Sequence, residues 1–122
     1  MLENSFYIVL KQDTSPGNVK ALLSINKDHK ILQGHFPGQP VVPGVCMIQM
    51  VKELVERQTN KKLMLNEADN VKFLSVIDPR QHSQVEATVS FSEDQGIFSL
   101  TASLTSGEIV FFKLKASLRD AQ

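Results

Sequence analysis

Tryptophan is absent from this 122-residue sequence, and cysteine and tyrosine occur once each. A single Cys closes no disulfide within the chain, so an oxidised scaffold is excluded and a reducing compartment is expected. Neither charge is in excess. The 13 Lys and Arg stand against 13 Asp and Glu, and a formal net charge of zero gives no electrostatic reason to expect nucleic acid as a partner. A long hydrophobic run is also missing. The most apolar stretch, Val41 to Val51, is broken by Pro43, Gly44 and Gln49 and is too short to cross a bilayer, so no membrane span is expected. The opening Met1-Leu2-Glu3-Asn4-Ser5 lacks the basic segment and apolar run of a secretory signal, which points to a soluble, cytoplasmic protein. One Cys and three scattered His make no cluster at metal-ligand spacing, so no metal is expected. What is present is ordinary globular usage, 42% hydrophobic and 21% charged, in a length that suits one domain over residues 1–122.

Hydrophobic periodicity divides the chain. Ser5 to Leu10 and Val19 to Ile25 read as strands around a turn at Pro16-Gly17. Val71 to Ile77 reads as another strand. Gln84 to Phe91, Ile97 to Leu104 and Glu108 to Leu118 alternate apolar and polar residues across short Gly-containing turns, which predicts an antiparallel meander. Between the two groups, Val45, Met47, Ile48, Val51, Leu54 and Val55 fall at helical spacing, with Pro43 near the helix start. The first turns of this helix are apolar almost all round, so burial on most sides is expected there. The half containing Lys52-Glu53-Leu54-Val55-Glu56-Arg57 should emerge towards solvent. Six strands and one mostly buried helix make an α+β arrangement, satisfied by a sheet curled around the helix.

The segment Gln33-Gly34-His35-Phe36-Pro37-Gly38-Gln39-Pro40 excludes regular helix and central strand, because its Pro residues remove donors and its Gly residues add freedom. It runs through Val41-Val42-Pro43 into the helix, where unpaired N–H groups and the positive end of the dipole are on offer. Gly44, without a side chain, lets a ligand oxygen approach those groups. His35 sits in the same loop. A base beside a carbonyl-polarising N–H is what proton abstraction next to a carbonyl requires. The same residues also fit a stiffened loop with a structural His, and Cys46, Met47 and Met50 fit core packing. His29 and His82 lie in polar stretches and read as solvated.

The run Gly34-His35-Phe36-Pro37-Gly38-Gln39-Pro40-Val41-Val42-Pro43-Gly44-Val45 resembles the signature of the 3-hydroxyacyl-acyl carrier protein dehydratases of type II fatty acid synthesis. Ile25-Asn26, Asn70-Val71-Lys72-Phe73-Leu74, Asp78-Pro79 and the C-terminal strands follow in the family's order, so the resemblance covers nearly the whole chain. It implies the hotdog fold, a curved antiparallel sheet around one long central helix, with active sites shared across a dimer. By position, His35 matches the catalytic base that removes the C2 proton of a 3-hydroxyacyl thioester. Gly44 matches the residue whose N–H polarises the thioester carbonyl. Val41 matches the loop position whose carbonyl orients the His ring. The resemblance implies an apolar acyl tunnel beside the helix, for which Phe36, Val45, Met47, Met50 and Phe73 are candidate contacts. β-Elimination of water needs no cofactor.

One position departs from the family. Where the dehydratases carry a helix carboxylate that protonates the departing hydroxyl of the opposite subunit, this sequence has Gln49. An amide hydrogen-bonds but delivers no proton near neutral pH, and general acid catalysis contributes about a hundredfold to ten-thousandfold. Dehydratase-type chemistry with another proton source, Glu53 being one candidate, or with a carboxylate from a related partner subunit, therefore stands ahead of two other readings, a hotdog thioesterase and a non-catalytic acyl-binding subunit. The resemblance implies acyl carrier protein as partner, in fatty acid, polyketide or polyene-type biosynthesis, within a homodimer, a heterodimer or a larger assembly. Lys61, Lys62, Lys72 and Arg80 are candidate docking residues for that acidic carrier.

Overall fold

The computed structural model describes residues 1–34, 38 and 40–121. Its elements are β1 (Tyr7–Ser15), β2 (Asn18–Ile25), α1 (Lys30–Gly34), α2 (Gly44–Thr59), β3 (Leu63–Phe73), β4 (Gln84–Asp94), β5 (Ile97–Ser106) and β6 (Ile109–Asp120). The six strands form one sheet in the order β1-β2-β4-β5-β6-β3, and every neighbouring pair is antiparallel. The β4–β5 turn places Gln95 and Gly96 at φ 51° and 82°, the left-handed pair that a two-residue hairpin of this twist requires.

Alternation does what its period demands. Val19, Ala21, Leu23 and Ile25 of β2, Val85, Ala87 and Val89 of β4, Phe98, Leu100, Ala102 and Leu104 of β5, and Phe112, Leu114, Ala116 and Leu118 of β6 are all buried on one face. α2 covers that face with Cys46, Met47, Met50, Val51, Leu54 and Val55. It ends at Asn60, a left-handed C-cap (φ 56°) whose N–H donates to the Glu56 carbonyl. Register shifts in β1–β2, at two places in β3–β6 and in β5–β6 mark bulges, which bend and twist a sheet.

Several expectations need correction. The strand read at Val71–Ile77 is the tail of β3, which begins eight residues earlier at Leu63 and stops at Phe73. β3 is an edge strand with both faces largely exposed and two bulges, so it carries no clean alternation to detect. The first strand runs to Ser15 rather than Leu10, again as an exposed edge. Gln33 and Gly34 close the short α1, so the irregular stretch starts later than its composition suggested. Burial along α2 is also distributed differently. Val45, in the first turn, is 72% exposed, whereas Glu53, expected towards solvent, is 0% exposed. The sheet reaches only one side of the helix start, while further along the chain's first residues close over the helix.

Neither His29 nor His82 is free in solvent. The His29 Nδ1 accepts the Ile31 N–H at 3.1 Å, and its Nε2 lies 2.9 Å from the Ser5 hydroxyl. Its ring meets the Phe6 edge, and His82 packs against Phe111.

Candidate functional site

The start of α2 is delivered by an extended Pro43 (φ −64°, ψ 147°) that supplies no side-chain cap. Its carbonyl accepts the N–H groups of Cys46 at 3.0 Å and Met47 at 3.3 Å. Among the described residues nothing accepts the N–H groups of Gly44 and Val45, the first two of the helix. They carry the positive end of a 16-residue helix. Upstream, the Val42 N–H donates to the Ile77 carbonyl at 2.9 Å, and the Leu74 and Ser75 N–H groups both donate to the Phe111 carbonyl. These bonds hold the Val41–Pro43 turn against the segment after β3.

A cavity of about 400 Å³ opens between these two segments, lined by Val41, Val42, Pro43, Gly44, Met47 and residues 73–76. That volume lies within the range of small-molecule sites, and its walls are mainly apolar. Phe73 stacks on Phe112 with ring centroids 5.3 Å apart and lies directly over the helix start. A Cβ on Gly44 would stand 2.6 Å from the Phe73 Cζ. The Cys46 thiol, close by in the first turn, has its pKa pushed up by burial and is therefore a poor nucleophile.

The structure thus brings together Val41, Gly44, Met47 and Phe73 around one cavity, and leaves Val45 beside it on the uncovered side of the helix. Two candidate residues lie elsewhere. Met50 is 0% exposed, packed in the core one turn below the cavity, and does not line this space. Gln49 is absent from the cavity that Gly44 lines, because five positions along a helix turn the side chain to another side. His35 and Phe36 lie outside the described residues.

Gln49 lines a separate cavity of about 550 Å³ with Met1, Lys52, Glu53, Arg57 and Lys62 among its walls. There its Nε2 donates to the Glu53 Oε2 at 2.7 Å. Glu53 also accepts the Leu2 and Glu3 backbone N–H groups, each at 2.8 Å, and the Tyr7 hydroxyl at 2.9 Å. Burial alone would raise the Glu53 carboxyl, but the four donated bonds outweigh it and hold its pKa below the usual carboxylate range. Glu53 is therefore ionised, saturated with donors and sealed from solvent, so it does not serve as the proton source considered from the sequence. Burial and the adjacent Glu53 charge push Tyr7 far above its ordinary value, so it stays protonated. Sequence periodicity could not find this constellation, since its donors come from the chain's first residues through backbone groups.

The four candidate docking residues are dispersed. Lys61 and Lys62 sit beyond the far end of α2, with Lys61 over the Phe98 ring, and Arg80 is paired with Asp78 at 2.9 Å. Lys72 lies directly opposite Lys113 in the β3–β6 ladder, and Lys115 shares that outer face two residues on. All three ammonium groups are without a carboxylate partner among the described residues.

Comparison with known proteins agrees with this architecture. Residues 11–109 match the ApeI-like family, described as ApeI dehydratase. A 3-hydroxyacyl-[acyl-carrier-protein] dehydratase FabZ of Geotalea uraniireducens is 31% identical over 88 residues, covering 65% of this chain and 60% of that protein. The protein of the same name from Rickettsia rickettsii is 25% identical over 122 residues, covering 92% and 83%. Four such dehydratases, including that of Geotalea, are spanned over only 52% to 60% of their length. Among solved structures, the dehydratase heterocomplex ApeI:P from Xenorhabdus doucetiae contains a chain that superposes with a TM-score of 0.75 at 18% identity, covering 92% of this chain and 96% of that one. The fold is the α+β hotdog.

Proposed function

The chain belongs to the ApeI-like dehydratase family, and from that premise we propose that it dehydrates 3-hydroxyacyl thioesters of acyl carrier protein as one subunit of a hotdog heterodimer whose other subunit supplies the acid. The observation that carries the reading is that, among the described residues, nothing accepts the N–H groups of Gly44 and Val45 at the start of α2, where Gly44 lines an apolar cavity. In this reading the thioester carbonyl oxygen accepts the Gly44 N–H. Negative charge developing on that oxygen is stabilised by the amide and by the helix dipole. His35, as neutral imidazole with its ring oriented by the Val41 carbonyl, takes the proton from C2. Val45, Phe36, Met47 and Phe73 contact the acyl chain.

Departure of hydroxide then needs a proton that the Gln49 amide does not give and that the saturated Glu53 does not release. A related subunit bearing a carboxylate at the matching position completes the site around this chain's His35. The reciprocal site, containing Gln49, lacks the acid. Lys72, Lys113 and Lys115 form the positive surface that an acidic carrier protein meets. A cytoplasmic setting suits the lone Cys46, and fatty acid, polyketide or polyene-type assembly all supply such substrates.

The test is turnover of a 3-hydroxydecanoyl thioester by the full chain alone and mixed with an acid-bearing hotdog subunit, read as enoyl product by mass spectrometry. The mixture should turn over, the chain alone should be slower by a hundredfold or more, and His35→Ala in this chain should silence the mixture. Unchanged turnover with His35→Ala would overturn the assignment. Release of free thiol instead of enoyl product would mark a thioesterase.

A further inference from the structure

Gln49 and Glu53 stand one helical turn apart on α2, and the bond between them removes a freedom that a side-chain amide normally has. We propose that Glu53 is the positioning residue for Gln49, locking its amide so that the Gln49 carbonyl oxygen is presented as an acceptor for the hydroxyl of a 3-hydroxyacyl ligand. This rests on the reading that position 49 faces an acyl site completed across a dimer.

The lock follows from the donor and acceptor inventory. An ionised carboxylate only accepts. With Nε2 facing Glu53 Oε2 at 2.7 Å the contact is a charge-assisted hydrogen bond. Flipping the amide would set Gln49 Oε1 against Glu53 Oε2 at the same separation, acceptor against acceptor. Glu53 itself has nowhere to turn, being 0% exposed and held by Leu2, Glu3 and Tyr7. Gln49 Oε1, in contrast, receives no hydrogen bond from any described residue, and its side chain lines an open cavity. Such an oxygen recognises a hydroxyl as a donor without protonating it. The half-site carrying Gln49 therefore holds 3-hydroxyacyl groups selectively and does not expel the hydroxyl.

The experiment measures calorimetric affinities of the full chain for 3-hydroxydecanoyl-pantetheine and decanoyl-pantetheine. The wild-type chain should favour the hydroxylated thioester about five- to tenfold, as one net hydrogen bond provides. Glu53→Gln frees the amide to flip and should bring that ratio to about one. Gln49→Met, which leaves three donors on Glu53, should do the same even if Glu53→Gln fails to fold. A ratio that survives either change overturns the proposal. If the wild-type chain binds neither thioester, the acyl reading falls and this role falls with it.

A ligand-free measurement separates the two failures. In Gln49→Glu the new carboxyl would face ionised Glu53, in surroundings that also hold Tyr7, the Glu3–Arg57 pair, the Lys52–Glu56 pair, Lys61 and Lys62. By carbon NMR one carboxyl of that pair should titrate well above about 4.3, because close like charges disfavour ionisation of both. Two ordinary carboxyl titrations would show that positions 49 and 53 are uncoupled and overturn the lock whatever the ligand does.

Discussion

A hydrogen is all that fits on the Gly44 Cα while the Phe73 ring stays where it is. Gly44→Ala should push that ring aside and cost about 1 kcal/mol or less, because only the far end of a half-exposed side chain has to move. Phe73→Ala should absorb that cost, so urea melts of the two single variants and the double variant should give a coupling energy of about 0.5 kcal/mol. The special standing of Gly44 was legible in the sequence, since a Gly after a Pro at the head of an apolar helix is an unusual juxtaposition. Its neighbour in space was not, because Phe73 arrives on an edge strand 29 positions away. Glu53 shows the opposite limit. Its position on the helix suggested solvent, and only the returning N-terminal segment makes it interior. Removing its side chain in Glu53→Ala strands three N–H groups and the Tyr7 hydroxyl, and thermal unfolding should register a loss of about 3–5 kcal/mol.

Elements with one buried face were readable almost to their ends, and elements without one only in part. β2, β4, β5 and β6 pack one face on α2, so alternation located them to within a few residues. β1 and β3 lie at the two edges, where neither face is consistently buried and period 2 has no reason to survive. Pairing register, which the sequence also conceals, sets Lys72 directly opposite Lys113, an arrangement that costs stability when no anion is near. Changing Lys113 and Lys115 to Glu should raise KM for a carrier-protein-bound substrate several-fold. Turnover of a free pantetheine thioester should be unaffected, and the difference should shrink as salt is added.

For the molecule as a whole, α2 and the sheet leave an uncovered region that includes Val45 at the helix start and Phe73, Leu74 and Val76 at the end of edge strand β3. An apolar region of this kind next to an unpaired strand edge invites a second chain. Leu74→Lys with Val76→Lys should leave the melting temperature nearly unchanged and shift the protein to a smaller species in light scattering. Stability as a function of pH should be bounded on both sides by the interior pair. Glu53 has a folded pKa below its unfolded value of about 4.3, so its contribution is complete above that value and is lost as pH falls through the folded pKa. Tyr7 is shifted upward, so its contribution is complete below about 10 and declines as pH rises beyond it. Denaturant titrations should show both slopes flattening in a Glu53→Gln, Tyr7→Phe double variant.

The amides of Leu2 and Glu3 reach the middle of α2 and hold the charge beside Gln49. Any change that displaces those two amides acts on the helix interior at the level of residue 49. A segment that carries little of the apolar core thus fixes the charge state and orientation of a group deep beside the helix.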